Sequence, residues 1–134
     1  MMRFEQATTY KIQADVQFIN QDLLIILTGG NVPHIGTVTT MEAGTIENFQ
    51  FSSHSGRKHK DDVLSRIILK KISEHFSGHC VVLCGVHVDH ITKQEIVDAS
   101  KLVSALAEDI SDWLKSDPVT FIQPVYYGKD EQPE

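Results

Sequence analysis

Thr9-Tyr10-Lys11-Ile12-Gln13-Ala14-Asp15-Val16-Gln17-Phe18-Ile19, then Asn20-Gln21-Asp22, then Leu23-Leu24-Ile25-Ile26-Leu27, is the stretch that decides the fold. Tyr10, Ile12, Ala14, Val16 and Phe18 alternate with Lys11, Gln13, Asp15 and Gln17, the two-residue period of a half-buried strand. Asn20-Gln21-Asp22 reads as a short turn. The apolar run behind it reads as a buried strand, the hairpin partner of the first. An antiparallel hairpin early in the chain predicts a mostly antiparallel sheet.

Moving outward, Gly29-Gly30-Asn31-Val32-Pro33 breaks the second strand. His34-Ile35-Gly36-Thr37-Val38-Thr39-Thr40 is β-branched enough to be a third, and residues 45–51 are read as a fourth. A helix is predicted over residues 61–76, with Leu64, Ile68 and Ile72 at steps of four, Ile67 beside them, and Asp61 and Asp62 in the first turn. Gly78 is expected to end it. Residues 79–88 read as an inner strand. Thr92-Lys93-Gln94-Glu95 is a capping box. The helix it opens should run to about Lys115, burying Ile96, Ala99, Val103, Leu106, Ile110 and Trp113, with Asp117-Pro118 as its stop. A last strand is expected over 119–127. The order gives a two-layer α+β domain, a mostly antiparallel sheet with two helices packed on one face. It should occupy residues 1–128, with 129–134 a frayed acidic tail.

Composition bounds the function. A chain of 134 residues with 41% hydrophobic content can bury one ordinary core. Its net charge of −6 argues against a general nucleic-acid binder, which needs many cations facing phosphates. Neither a membrane helix nor a signal peptide is legible, so the cytoplasm is the expected compartment. Cys80 and Cys84 lie four apart on one apparent strand, too far to bridge, and read as small buried hydrophobes. Seven histidines are a surplus for this length. His75 and His79 flank a helix end and read as structural, and His54 is undecided. His34, His59, His87 and His90 fall in three segments where chemistry is plausible.

The first segment is Gly29-Gly30-Asn31-Val32-Pro33-His34-Ile35-Gly36, whose glycines let backbone approach a ligand or take a positive φ. It matches no named nucleotide motif and reads equally as a turn with a surface histidine. The second is Ser55-Gly56-Arg57-Lys58-His59-Lys60-Asp61. This basic run meets a helix N-terminus, which attracts anions, so it is a solvated loop or a phosphate site. The third is Gly85-Val86-His87-Val88-Asp89-His90-Ile91 at a strand end, where a carboxylate two residues from an imidazole can fix its tautomer or share a metal with it. His34, His59, His87, Asp89 and His90 offer metal-ligand atoms. No zinc spacing is present, and Cys80 and Cys84 alternate away from His87. A looser site on His87, Asp89 and His90 stays open as an alternative. No nucleophile elbow is present.

Together, Gly30-x-x-Pro33-His34-Ile35-Gly36, His59-Lys60-Asp61 and Gly85-Val86-His87-Val88-Asp89-x-Ile91 followed by Glu95-Ile96 resemble the LpdD-like family over residues 10–115. These are small proteins associated with UbiD-type decarboxylases of gallate and related hydroxyarylic acids. The family is described as a chaperone for prenylated flavin mononucleotide (prenylated FMN), and earlier as a decarboxylase subunit. The resemblance implies a protein that catalyses nothing and binds prenylated FMN, or FMN, for a UbiD-type decarboxylase, with a flavin prenyltransferase as a second partner. Gly29, Gly30, His34, Gly36, Arg57, His59, Lys60, Asp61, His87 and Asp89 are then the candidate contacts. Arg57, Lys58 and the doubled Asp61-Asp62 depart from the family pattern, which leaves open which side chain meets the phosphate. A small metal-dependent enzyme using His87 and Asp89, and a structural subunit of a decarboxylase, are the competing readings. A homodimer is expected from the exposed strand edge.

Overall fold

The computed structural model describes residues 1–53, 61–116 and 121–134. The decisive hairpin forms as its pattern dictates. Strands β2 (Lys11–Ile19) and β3 (Asp22–Gly30) pair antiparallel, Ala14 opposite Leu27 and Val16 opposite Ile25. Asn20 takes a left-handed φ of 52° in the turn, a conformation asparagine tolerates. Strand β1 (Met2–Ala7) adds antiparallel to β2, an element the sequence reading did not contain. Strands β4 (Thr37–Glu42) and β5 (Thr45–Gln50) form a second hairpin.

Helix α1 (Asp62–Ile72) then crosses over and delivers β6 (Cys80–His87) to the middle of the sheet. The strand order is β1-β2-β3-β6-β4-β5, with β6 parallel to β3 and antiparallel to β4. That central position explains why β6 is apolar along its length. Helix α2 (Lys93–Ser116) completes the α+β architecture. The predicted capping box forms in both directions: Glu95 N donates to Thr92 Oγ1 and Thr92 N to Glu95 Oε1, each at 3.1 Å.

Three expected boundaries move. Strand β4 begins at Thr37 rather than His34, because Gly36 N already bonds to the Cys84 carbonyl and the preceding loop turns away. Helix α1 stops at Ile72, before Gly78, and Ser73 N closes its last turn on the Leu69 carbonyl. No strand forms over 121–127, where both backbone groups of Ile122 bond to the side chain of Asn20. The rest of that expectation, residues 119 and 120, lies outside the described residues.

The core lies between the helices and one face of the sheet. Ile12, Ala14, Val16, Leu23, Ile25 and Leu27 point into it and meet Ile68, Leu69 and Ile72 of α1 and Val103, Leu106 and Ile110 of α2. Trp113 closes one side, its ring 5.8 Å from Phe4 and 5.5 Å from Phe18. Strand alternation turns Leu24, Ile26, Val81, Leu83, Val38 and Phe49 to the opposite face, which neither helix covers.

Cys80 and Cys84 are free, buried and on the core face, as their spacing predicts. Burial pushes the Cys80 thiol up to about 12. Cys84 moves further the same way, burial leading and the Asp61 carboxylate adding to it. Both are therefore protonated at pH 8 and unreactive. An aromatic disulfide reagent should titrate no thiol in the native protein and both after denaturation.

Candidate functional site

Strands β3 and β6 run parallel, so their C-terminal ends lie together, Gly30 opposite His87. The beginnings of α1 and α2 converge on the same end. In open α/β arrangements this is where ligands bind, because strand ends and helix N-termini expose backbone donors in one crevice. Backbone and side-chain bonds knit the loops there. Asn31 N donates to the His87 carbonyl at 2.6 Å, and Asp89 N donates to Asn31 Oδ1 at 2.8 Å. The His87 ring lies 3.0 Å, through Nε2, from Asp89 Oδ1. The carboxylate can only accept, so it fixes the proton on Nε2.

His34 and Asp61 meet beside this loop. His34 Nδ1 donates to the Val32 carbonyl at 2.9 Å, and its Nε2 stands 3.9 Å from Asp61 Oδ2. Asp61 precedes α1 but makes no side-chain cap to it. Its Oδ1 instead accepts the amide of Val86 at 3.3 Å, which ties the helix start to the end of β6.

Between α1 and α2 a groove of about 630 Å³ opens, within the usual size of a small-molecule site. Its walls include Val63 and Leu64 of α1, Val86 of β6, and Ile91, Ile96 and Val97 at the start of α2. Val63, Ile91, Ile96 and Val97 are 42–58% exposed, apolar surface that water would otherwise cover. Polar atoms stand at its margin: the Asp61 carboxylate, and Tyr10, whose hydroxyl donates to the Glu95 carbonyl at 2.7 Å. Burial, then the charges of Asp98 and Glu95, push the Tyr10 phenol above its ordinary value, so it remains a donor.

Of the residues singled out from sequence, Gly29, Gly30, His34, Gly36, Asp61, His87 and Asp89 gather at this end of the sheet. Arg57, His59 and Lys60 lie outside the described residues, with Asp61 next in the chain. The glycines have an internal role. A Cβ on Gly29 would overlap the Lys11 carbonyl, and one on Gly30, at φ 76°, would overlap the carbonyl of His87. Gly36 spends its amide on Cys84 and its carbonyl on Phe51. His87 does not share the groove, because alternation along β6 turns Val86 to it and His87 to the other face. Among the described residues no group of three or more His, Cys, Asp or Glu side chains could hold a metal, and His90 is exposed at φ 50°. Nor is any described helix long and apolar enough to cross a membrane.

Part of the groove wall was missed in the sequence: Val63 and Val97 were not singled out, and Ile91 was quoted within the third segment without being named a contact. Val63 and Val97 fall off the buried stripes of their helices and Ile91 sits in a loop, and apolar residues out of register were the available signal.

Residues 6–115 match the family model described as the prenylated flavin chaperone LpdD-like domain. The chain is also 46% identical over 125 residues to Protein LpdD of Lactiplantibacillus plantarum, an alignment that covers 92% of each chain.

Proposed function

The chain belongs to the prenylated flavin chaperone LpdD-like family, and from that premise we propose that it binds prenylated FMN, or its parent FMN, and passes the cofactor to a UbiD-type decarboxylase. The observation that carries this reading is the water-exposed apolar groove between the starts of α1 and α2. A flat, largely apolar ring system fits such walls, since it removes Val63, Ile91, Ile96 and Val97 from water. The bound group would supply its chemistry later, in the decarboxylase. The residues here hold and shield it.

In this reading Arg57, His59 and Lys60 neutralise the phosphate beside the N-terminus of α1, where the helix dipole favours an anion. His34 and Asp61 meet the polar edge of the ring, with His87 and Asp89 holding the rim from the far face. Gly29, Gly30 and Gly36 act by letting the strand ends and loop approach closely enough to form that rim. A flavin prenyltransferase supplies the cofactor. In this reading the protein works in the cytoplasm as a homodimer.

Arg57→Ala with Lys60→Ala should weaken FMN binding about tenfold or more, the cost of losing charge-assisted phosphate contacts. Riboflavin, which lacks the phosphate, should bind the double variant and the parent equally in a fluorescence titration. Delivery is tested by mixing the cofactor-loaded protein with cofactor-free decarboxylase. Activity should appear, and the two proteins should then separate on gel filtration with the flavin on the decarboxylase. Flavin that stays behind would overturn delivery, and a stable complex of fixed stoichiometry would indicate a structural subunit.

A further inference from the structure

Helix α1 is held to the sheet unevenly along its length. In its second half, Ile68, Leu69 and Ile72 are fully buried in the apolar core. In its first half, residues 62–67, Ser65 alone is buried, and its hydroxyl has no hydrogen-bond partner. Leu64 and Ile67 pack against the core only in part. The sheet beneath repeats the pattern. Thr37 and Thr39 of β4 are 0% exposed, and neither side-chain oxygen is bonded. Thr37 lies opposite Cys84 of β6, whose thiol stands beside Ser65 and is a weak hydrogen-bonding group. Among the described residues, these three hydroxyls are the buried side-chain polar atoms left without a partner. All belong to α1 or to the core face of β4, which α1 packs against.

We propose that the first half of α1 is a hinged wall of the groove, parting from β4 and β6 while Ile68, Leu69 and Ile72 stay in place as the pivot. Val63 and Leu64 ride on this half, so its opening widens the groove. The passage of a flavin through that opening rests on the function proposed above; the hinge itself does not.

A buried hydroxyl without a partner has given up its bonds to water and gained none in return. Three of them at one contact lower the free energy needed to part it, because water satisfies all three once they are exposed. The polar ties on this half are also ones that water can replace. Gln50 Nε2 donates to Asp62 Oδ1 at 3.1 Å, Arg66 Nη2 to Asn48 Oδ1 at 2.5 Å, and Val86 N to Asp61 Oδ1 at 3.3 Å. Moving elements are drawn from the weakly held parts of a fold, and the sequence of α1 changes from weakly to firmly held between Ile67 and Ile68.

Amide hydrogen exchange on the whole protein tests the hinge. The Arg66 and Ile67 amides should exchange at least tenfold faster than those of Leu69 and Ile72, with little dependence on added denaturant, the mark of a local opening. Thr37→Val with Thr39→Val keeps the side-chain shape and leaves the sequence of α1 untouched. Arg66 and Ile67 should then exchange about tenfold more slowly, equivalent to about 1.4 kcal/mol. Ser65→Ala removes the third hydroxyl from the helix side and should act in the same direction, whatever β4 makes of valine. FMN should leave the β4 variant about tenfold more slowly in stopped-flow fluorescence. Arg66 and Ile67 amides that exchange only through global unfolding would overturn the proposal, as would local exchange that these variants leave unchanged. Slowed exchange with unaltered FMN release would overturn the role in cofactor passage. If FMN does not bind at all, the exchange result still decides the hinge, and the function proposed above is what fails.

Discussion

Ile96→Glu is expected to weaken prenylated-FMN binding by about two orders of magnitude while leaving the protein folded. Ile96 stands in the first turn of α2 and is 57% exposed in the groove wall. In the free protein a carboxylate there stays hydrated, and an acid in the first turn suits the positive end of the helix dipole. Folding therefore has little to lose. Binding loses twice, because the ring gives up an apolar contact and must strip water from a charge. Together these cost about 3 kcal/mol, roughly a hundredfold in Kd. Ile96→Leu keeps the apolar wall and should bind within about threefold of the parent. Flavin fluorescence titration measures both variants, and thermal melts confirm that each is folded. An Ile96→Glu protein that binds as the parent does would move the cofactor out of the groove.

Gly85→Ala is expected to cost about 3 kcal/mol of stability or more, the range reached when a buried backbone must shift. Gly85 lies within β6, the strand hydrogen-bonded to both β3 and β4. A Cβ there would overlap the carbonyl group of His34 and press on its imidazole ring. Neither side yields easily: β6 is held by its two neighbours, and the loop is held by the bond from Gly36 N to the Cys84 carbonyl at 2.8 Å. Denaturant melts should register the loss directly. Gly44→Ala supplies a contrast, since its Cβ would meet nothing and only its φ of 79° resists the change, so a cost of about 1 kcal/mol is expected.

Most of the fold was legible because the chain signals it locally. The alternation over residues 10–18 and the capping box at Thr92 each specify one local structure, and each forms. The central placement of β6 was less legible. Its apolar length says that it is buried, but the partner choice, parallel to β3 and beside β4, depends on where the α1 crossover sets it down. Strand β1 was missed because Met2-Arg3-Phe4-Glu5-Gln6-Ala7 carries few apolar residues, and its pairing with β2 supplies the order that its composition does not.

The candidate site divides along the same line. The three segments singled out by their glycines, histidines and charges do converge where the structure describes them, through contacts such as Gly30 opposite His87 and Val86 to Asp61. The structure adds to one expectation and corrects another. Gly29 and Gly30 make room for the chain's own carbonyls. Ile96, expected in the buried stripe of α2, is exposed and stands in the groove wall instead. Local pattern and burial part company at this one turn, and a functional site is where such conflicts are expected.

Co-expression with a flavin prenyltransferase, followed by purification and by absorbance and mass spectra of the bound small molecule, tests cofactor binding most directly. Prenylated FMN is predicted to copurify at close to one per chain, and added cofactor to bind saturably to the stripped protein. Protein that emerges without flavin and shows no saturable binding would contradict it.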